Sequence, residues 1–402
     1  MASPVRDAVV REIKQITELR HQIHSHPETA YDEHETSRLI ARQLIEWQIE
    51  HKTGLAGGTG VLGFLPSTEG DDAPCIALRA DIDALPILEE NDLPYKSKVD
   101  GKMHACGHDG HTAILLGTAR ALAQEKRRPN HVLLMFQPAE EGGAGGKKMC
   151  EDGVLDGSVL GKPADAAYGL HGWAELELGK FGVREGPLLA STDQFYVTIR
   201  GRGGHAAMPH FAADPVVAAA HIVTALQTVA SRNVDPLESI VMTVGKLQAG
   251  TAVNIIPDEA YFAGTMRTLN DDTRALGKNR FYEIVESVTK ALGCEVEIKW
   301  NTGYPVTFNE KRATDRLRNV LVNAFGQDKV QEVDRPVMGG EDFSFYGQHV
   351  PASFFLVGLK PDHMDTYPKV HTPKFNFNDD AIPFAIEAMC RLALEPLELD
   401  KT

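Results

Sequence analysis

Apolar residues at Val9, Ile13, Ile16, Leu19 and Ile23 recur at helical spacing and stop before Pro27, which predicts a helix from Ala8 to about Ser25. The same spacing predicts a second helix over Glu35–Trp47. Short apolar runs bounded by Gly, Pro and Asp predict strands at Gly60–Leu65 and Cys75–Ala80, the latter running into Asp81-Ile82-Asp83. Beyond them, Thr112–Ala123 reads as a helix ended by Pro129, His131–Phe136 as a buried strand, Met149–Leu155 as a short helix and Ala166–Leu170 as a strand.

Polar residues follow directly on these strands: Asp81 and Asp83, Glu140 and Glu141, and His171. Sites in open α/β sheets form at the carboxyl ends of strands, so these residues are expected to be neighbours.

The rhythm then changes. Strand Gln194–Arg200, helix Asp214–Arg232, strands Ser239–Leu247 and Glu259–Arg267, helix Asp272–Leu292 and strand Glu295–Trp300 spell βαββαβ, the ferredoxin-like order. Turn-rich segments at Arg184–Pro187 and Asn301–Pro305 flank it, which marks an inserted domain. The expected division is 1–186 and 302–402 for one domain, with 187–301 inserted. A helix Ala313–Phe325, a strand Ser353–Gly358 and a helix from Ile382 complete the first, with His371 between the last two.

At 402 residues, with 43% hydrophobic and 24% charged residues, the chain has ample core for two domains. A net charge of -15 disfavours nucleic acid and anionic membranes as partners and leaves a small-molecule or peptide substrate. No apolar run reaches membrane-spanning length, and Met1 to Ile16 is interrupted by charges, so a cytoplasmic protein is expected. The 5 cysteines are scattered, which suits reduced thiols.

Candidate chemistry centres on Met103–His111, MHACGHDGH, where imidazole, thiol and carboxyl groups crowd together. An extended backbone would point Cys106 and His108 to one side. A dinuclear centre needs several such donors and an open position, and Cys106, His108, Glu141, His171 and His371 could supply it. Neighbouring side chains on an extended segment diverge, so of Glu140 and Glu141 one is a ligand and the other a general base, in either order. Asp81 and Asp83 are read as supports for ligands, and Asp109 as either a support or a helix cap. His104 and His111 are supporting residues, and His24, His26, His34 and His210 have no nameable partner.

Five segments, MHACGHDGHT (103–112), FQPAEEG (136–142), GGHAAMP (203–209), VNIIP (253–257) and GGEDF (339–343), resemble the M20 metallopeptidase family. The similarity is greatest to its amidohydrolase branch, which acts on hippurate, N-acetyl-amino acids and auxin–amino-acid conjugates. The resemblance implies a mixed-sheet α/β catalytic domain with two divalent metal ions per subunit, and an inserted ferredoxin-like lid through which subunits form a homodimer or higher oligomer. Zinc or manganese is expected, with cobalt or nickel as alternatives, because the thiolate of Cys106 is soft. It makes Cys106, His108, Glu141, His171 and His371 the ligands and Glu140 the base. His205 would stabilise the oxyanion in the site of the partner protomer, and Asn254 and Arg267 would meet the substrate carboxylate. Cys106 and Asp81 stand where many relatives have a bridging Asp and a His.

The implied reaction is hydrolysis of an N-acyl amino acid to a carboxylic acid and a free amino acid. Three alternatives stand beside it: a dipeptidase or carboxypeptidase on the same scaffold, a non-catalytic metal- or ligand-binding protein, and a hydrolase using Cys106 as nucleophile.

Overall fold

The computed structural model describes residues 6–398, which form two compact units. One comprises the described residues of Met1–Gly186, Phe308–Asp334 and Asp342–Thr402; the other is Pro187–Thr307 with Arg335–Glu341. Residues 302–307 and 335–341 thus belong to the second unit, beyond the 187–301 span read from the sequence.

The first unit is built on an 8-stranded mixed sheet in the order Glu50–Leu55, Gly60–Leu65, His131–Gln137, Cys75–Asp81, Ala166–Glu177, Ala352–Lys360, Phe181–Val183, Val330–Glu332. The strands His131–Gln137, Cys75–Asp81, Ala166–Glu177 and Ala352–Lys360 are mutually parallel at its centre, so their carboxyl ends lie on one side. Their near-continuous apolar sequences are those of strands covered on both faces. The edge strand Glu50–Leu55 escaped sequence reading because its EHKTGL pattern is mostly exposed and has no apolar alternation.

Helix His108–Ala123 is almost entirely buried, with helices Asp7–Ser25 and Ile382–Leu394 packed against it. Its apolar run Ala113–Gly117 suits such a place, and its buried His108, Asp109 and His111 are gathered in the first turn. It begins one turn before the expected Thr112, because Gly107 turns the chain at φ 91° and lets His108 be its first residue. Cys106 and His108 therefore share a neighbourhood through a left-handed turn, not through the extended backbone expected. At Gly110 an added Cβ would lie 2.4 Å from the Phe377 ring, so only glycine permits this helix–aromatic approach.

Strand Ala166–Glu177 outruns its expected end at Leu170. It pairs with Cys75–Asp81 only as far as Arg79 opposite Gly169, then continues beside Ala352–Lys360. His171 is consequently within a strand, two residues past the point where pairing with Cys75–Asp81 stops.

In the second unit a 4-stranded antiparallel sheet has the order Ile240–Ala249, Glu259–Thr268, Asp193–Arg200, Glu295–Thr302, the order of a βαββαβ unit. Phe195, Val197 and Ile199 alternate onto the face that packs with Ile222 and Leu226 of helix Pro215–Thr228 and Phe281 and Val285 of helix Asp271–Ala291. Asp214 and Asn270 cap these helices through their side chains. The first runs on into a π-helical turn, Val229–Asn233, which the sequence pattern had merged with it. Among the described residues no helix is long and apolar enough to cross a membrane.

Candidate metal centre

Two overlapping groups of donors lie in the first unit: Cys106 with His108 and His171, and Cys106 with Glu141 and His371. Within each, the donor atoms are all within 4.8 Å of one another. Cys106 belongs to both, the position a ligand shared between two ions would occupy. His108 also groups with Glu140 and Glu141, so all five expected ligands and the expected base are brought together.

His171 and His108 are oriented by their second nitrogens. His171 Nδ1 donates to the Gly172 carbonyl at 2.8 Å, leaving Nε2 as a lone pair 3.3 Å from the Cys106 sulfur. His108 Nδ1 is 3.2 Å from Asp83 Oδ1, and its buried Nε2 has no hydrogen-bond partner. His371 Nε2 is 3.1 Å from Glu141 Oε1, reached from a half-exposed loop where His371 itself has φ 61°. Such second-nitrogen contacts fix tautomer and ring direction in metal sites.

Around these residues sits a layer of carboxylates. Asp83 Oδ2 accepts the Glu141 backbone N–H at 2.9 Å. Asp81 Oδ1 is 2.7 Å from His111 Nδ1, and the other ring nitrogen of His111 accepts the Gly172 N–H at 2.9 Å. Asp81 Oδ2 meets buried Arg79 at 2.6 Å; Arg79 also reaches Asp342 at 2.9 Å and Gln137 at 2.9 Å. The Asp342 N–H in turn donates to Glu140 Oε1 at 3.3 Å.

Charge is distributed accordingly. Burial pushes the Cys106 thiol well above its ordinary value, helped by Glu141, Glu140 and Asp81. Burial would lower His108, but Asp81 and Asp83 prevail and hold it up at about 10. Burial and the His111 ring bring His171 down to about 3. Burial opposes ionisation of Asp81, yet Arg79, His108 and His111 keep its carboxyl well below the usual range. The pocket thus attracts cations. The buried His108 Nε2 without a hydrogen-bond partner, the His171 ring held neutral and the Cys106 sulfur common to both groups make a donor set of the kind that suits a zinc-like ion. A nucleophilic cysteine needs electropositive surroundings, and Cys106 has the opposite.

Glu140 and Glu141 lie in a turn, not on the extended segment assumed from sequence: Ala139 has φ 54° and Gly142 φ 85°. Their carboxylates do not diverge: both group with His108, with donor atoms within 4.8 Å of one another. Asp109 takes neither expected role. It is buried, with Arg20 Nε and His24 Nδ1 both 2.8 Å from Oδ2, while His24 Nε2 is 3.2 Å from Glu89. It therefore ties the first turn of the His108 helix to helix Asp7–Ser25. His24, for which sequence named no partner, lies between two carboxylates. Nothing in the local pattern around Arg20, His24, Arg79 or Asp342 announced these long-range networks.

In the second unit, His205 pairs with Ile255 across a two-residue ribbon. Its Nδ1 accepts the Ala207 N–H at 3.1 Å, so a neutral ring carries its proton on Nε2. Asn254 is exposed, and its carbonyl accepts the Ala206 N–H at 3.0 Å. Arg267 is half-buried on strand Glu259–Thr268.

The profile of peptidase family M20/M25/M40 matches residues 77–395. The chain belongs to this family. It is similar to the N-acetyl-L-cysteine deacetylase of Bacillus subtilis (strain 168), 42% identical over 371 residues, spanning 92% of this chain and 85% of that protein. IAA-amino acid hydrolase ILR1-like 5 of Arabidopsis thaliana is 39% identical over 380 residues, 93% of this chain and 85% of that one. A crystal structure of a dinuclear metal-binding M20 peptidase from Bacillus subtilis superposes with a TM-score of 0.82 at 34% identity, covering 96% of this chain and 98% of that one. The M20 chain described here is a hydrolase with the mixed α/β fold of that family.

Proposed function

We propose that the protein is a metal-dependent amidohydrolase that cleaves the amide bond of N-acyl amino acids, releasing a carboxylic acid and a free amino acid. The observation that carries this reading is the meeting of Cys106, His108, Glu141, His171 and His371 beside Glu140 in a chain that belongs to family M20. The similarity to a deacetylase of N-acetylcysteine and to a hydrolase of IAA-amino acid supports the substrate class.

Cys106, His108, Glu141, His171 and His371 are the proposed ligands of two divalent ions, zinc or manganese. Ions held there would supply an acidified water and polarise an acyl carbonyl. The Glu140 carboxylate would accept a proton from the attacking water and deliver it to the leaving amine. The Asp342 N–H aims the Glu140 carboxylate, and Asp83 fixes His108 and the Glu141 backbone at once.

The 187–301 region is proposed as a lid through which two subunits associate, supported by the exposure of Met208, Phe211, Leu247, Val253 and Ile255. His205 of the partner subunit would stabilise the oxyanion through its Nε2–H, and Asn254 and Arg267 would bind the substrate carboxylate. Free cysteines throughout suit a cytoplasmic setting.

A substrate panel tests the reading. Metal-loaded protein is expected to hydrolyse N-acetyl and N-benzoyl amino acids faster than dipeptides, and to stop when a chelator is added. Preference for dipeptides would transfer the assignment to a peptidase, and activity that survives chelation would contradict it.

A further inference from the structure

The turn that carries Glu140 and Glu141 is held from a distance by the segment between the two N-terminal helices. Glu33 is fully buried there. Its Oε1 accepts the Ala139 N–H at 2.9 Å and its Oε2 accepts the Thr59 hydroxyl at 2.8 Å. Ala139 needs such an anchor. It is a non-glycine residue at φ 54°, a conformation that persists only where its surroundings enforce it.

A second anchor lies on the other side of the glutamates. The Tyr31 hydroxyl donates to the Gly143 carbonyl at 2.5 Å, and Lys148 Nζ sits 3.7 Å over the Tyr31 ring. Inside the turn the chain closes on itself, with Gly142 N–H donating to Glu140 O at 2.7 Å and Gly145 N–H to Ala139 O at 3.1 Å. At Gly143 an added Cβ would lie 2.6 Å from the Ala139 Cβ, so the turn is tight. Residues 31 and 33 therefore bracket Glu140 and Glu141 at Ala139 and Gly143, and neither belongs to a donor group of the metal centre.

The geometry points to Tyr31 and Glu33 as positioning residues, a clamp that sets the direction of the Glu140 and Glu141 side chains without touching substrate or metal. This rests on Glu140 being the general base as proposed above. Loss of the clamp lets the turn relax and the base wander, and displacement of a catalytic group by about 1 Å can cost about 100-fold in rate.

The test compares Glu33→Ala, Glu33→Gln and Tyr31→Phe in the full-length, metal-loaded protein by amide hydrogen exchange over residues 139–146 and by steady-state kinetics. Glu33→Ala is expected to speed exchange in that segment, with kcat down about 10- to 100-fold, KM little changed and metal content full. Glu33→Gln keeps an acceptor for the Ala139 N–H and is expected to restore both. Tyr31→Phe, which keeps the ring, is expected to show the same effects at smaller size and decides the matter if Glu33→Ala does not fold. Unaltered exchange, unaltered kcat, a loss that tracks metal content, or failure of Glu33→Gln to recover would each overturn the clamp. If exchange changes as expected but the wild type hydrolyses no N-acyl amino acid, the functional reading fails and the clamp on the turn stands.

Discussion

Asp83 and His108 are joined at 3.2 Å, Oδ1 to Nδ1, while the other oxygen of the same carboxylate accepts the Glu141 N–H. One side chain thus orients a proposed ligand from each donor group. Asp83→Ala should weaken metal binding by about 10- to 100-fold while leaving the fold intact. Titration of the apo-protein with zinc or manganese, followed calorimetrically, measures this; unchanged affinity would remove Asp83 from the account.

Cys106 is common to both donor groups. Cys106→Ala is therefore expected to lower the occupancy of both ions, not one, as read by metal analysis after dialysis. Retention of one full equivalent would show that the thiol serves a single ion.

Arg79 is fully buried and paired with both Asp81 and Asp342. Arg79→Met leaves those carboxylates buried without their cation, and breaking a buried pair in this way costs about 3–5 kcal/mol. Chemical denaturation of the metal-free protein should register a loss of that order.

Much of this centre was legible in the sequence, for a physical reason. Asp81, Asp83, Glu140 and Glu141 follow short apolar strands, and parallel strands of one sheet must deliver their carboxyl ends to the same side. Cys106 and His108 stand out because donor chemistry is concentrated in residues 103–111, whereas His371 has no such local signal and is assigned as a ligand through the family resemblance. What stayed hidden was geometry carried by single residues in the left-handed region, Gly107 and Ala139, and partnerships across long stretches of chain. Arg20 with Asp109 and Arg79 with Asp342 join residues 89 and 263 positions apart. No periodicity encodes such pairs. The helix start at His108 was missed because His-Asp-Gly-His has the composition of a loop, and packing against Phe377 overrides that preference.

His24 supplies a pH prediction. Burial would lower its pKa, but Asp109 and Glu89 outweigh burial and raise it above the ordinary imidazole value of about 6.5. A raised folded-state pKa means the folded protein binds that proton more tightly than the unfolded chain. Its stabilisation is fully present below about pH 6.5 and is lost as pH rises through the folded value. The stability gap between wild type and His24→Gln should therefore be largest in mild acid and narrow in alkali. A gap that widens with pH would show that His24 is neutral in the folded protein.

In the proposed mechanism Glu140 moves the proton while other residues hold the ions. Its most direct test is Glu140→Gln, assayed for metal content and for kcat on an N-acyl amino acid with the same preparation. Two ions per chain with kcat reduced by at least about 100-fold is the expected result, since general acid–base groups contribute about 100- to 10,000-fold. Near-normal turnover with both ions bound would contradict the account.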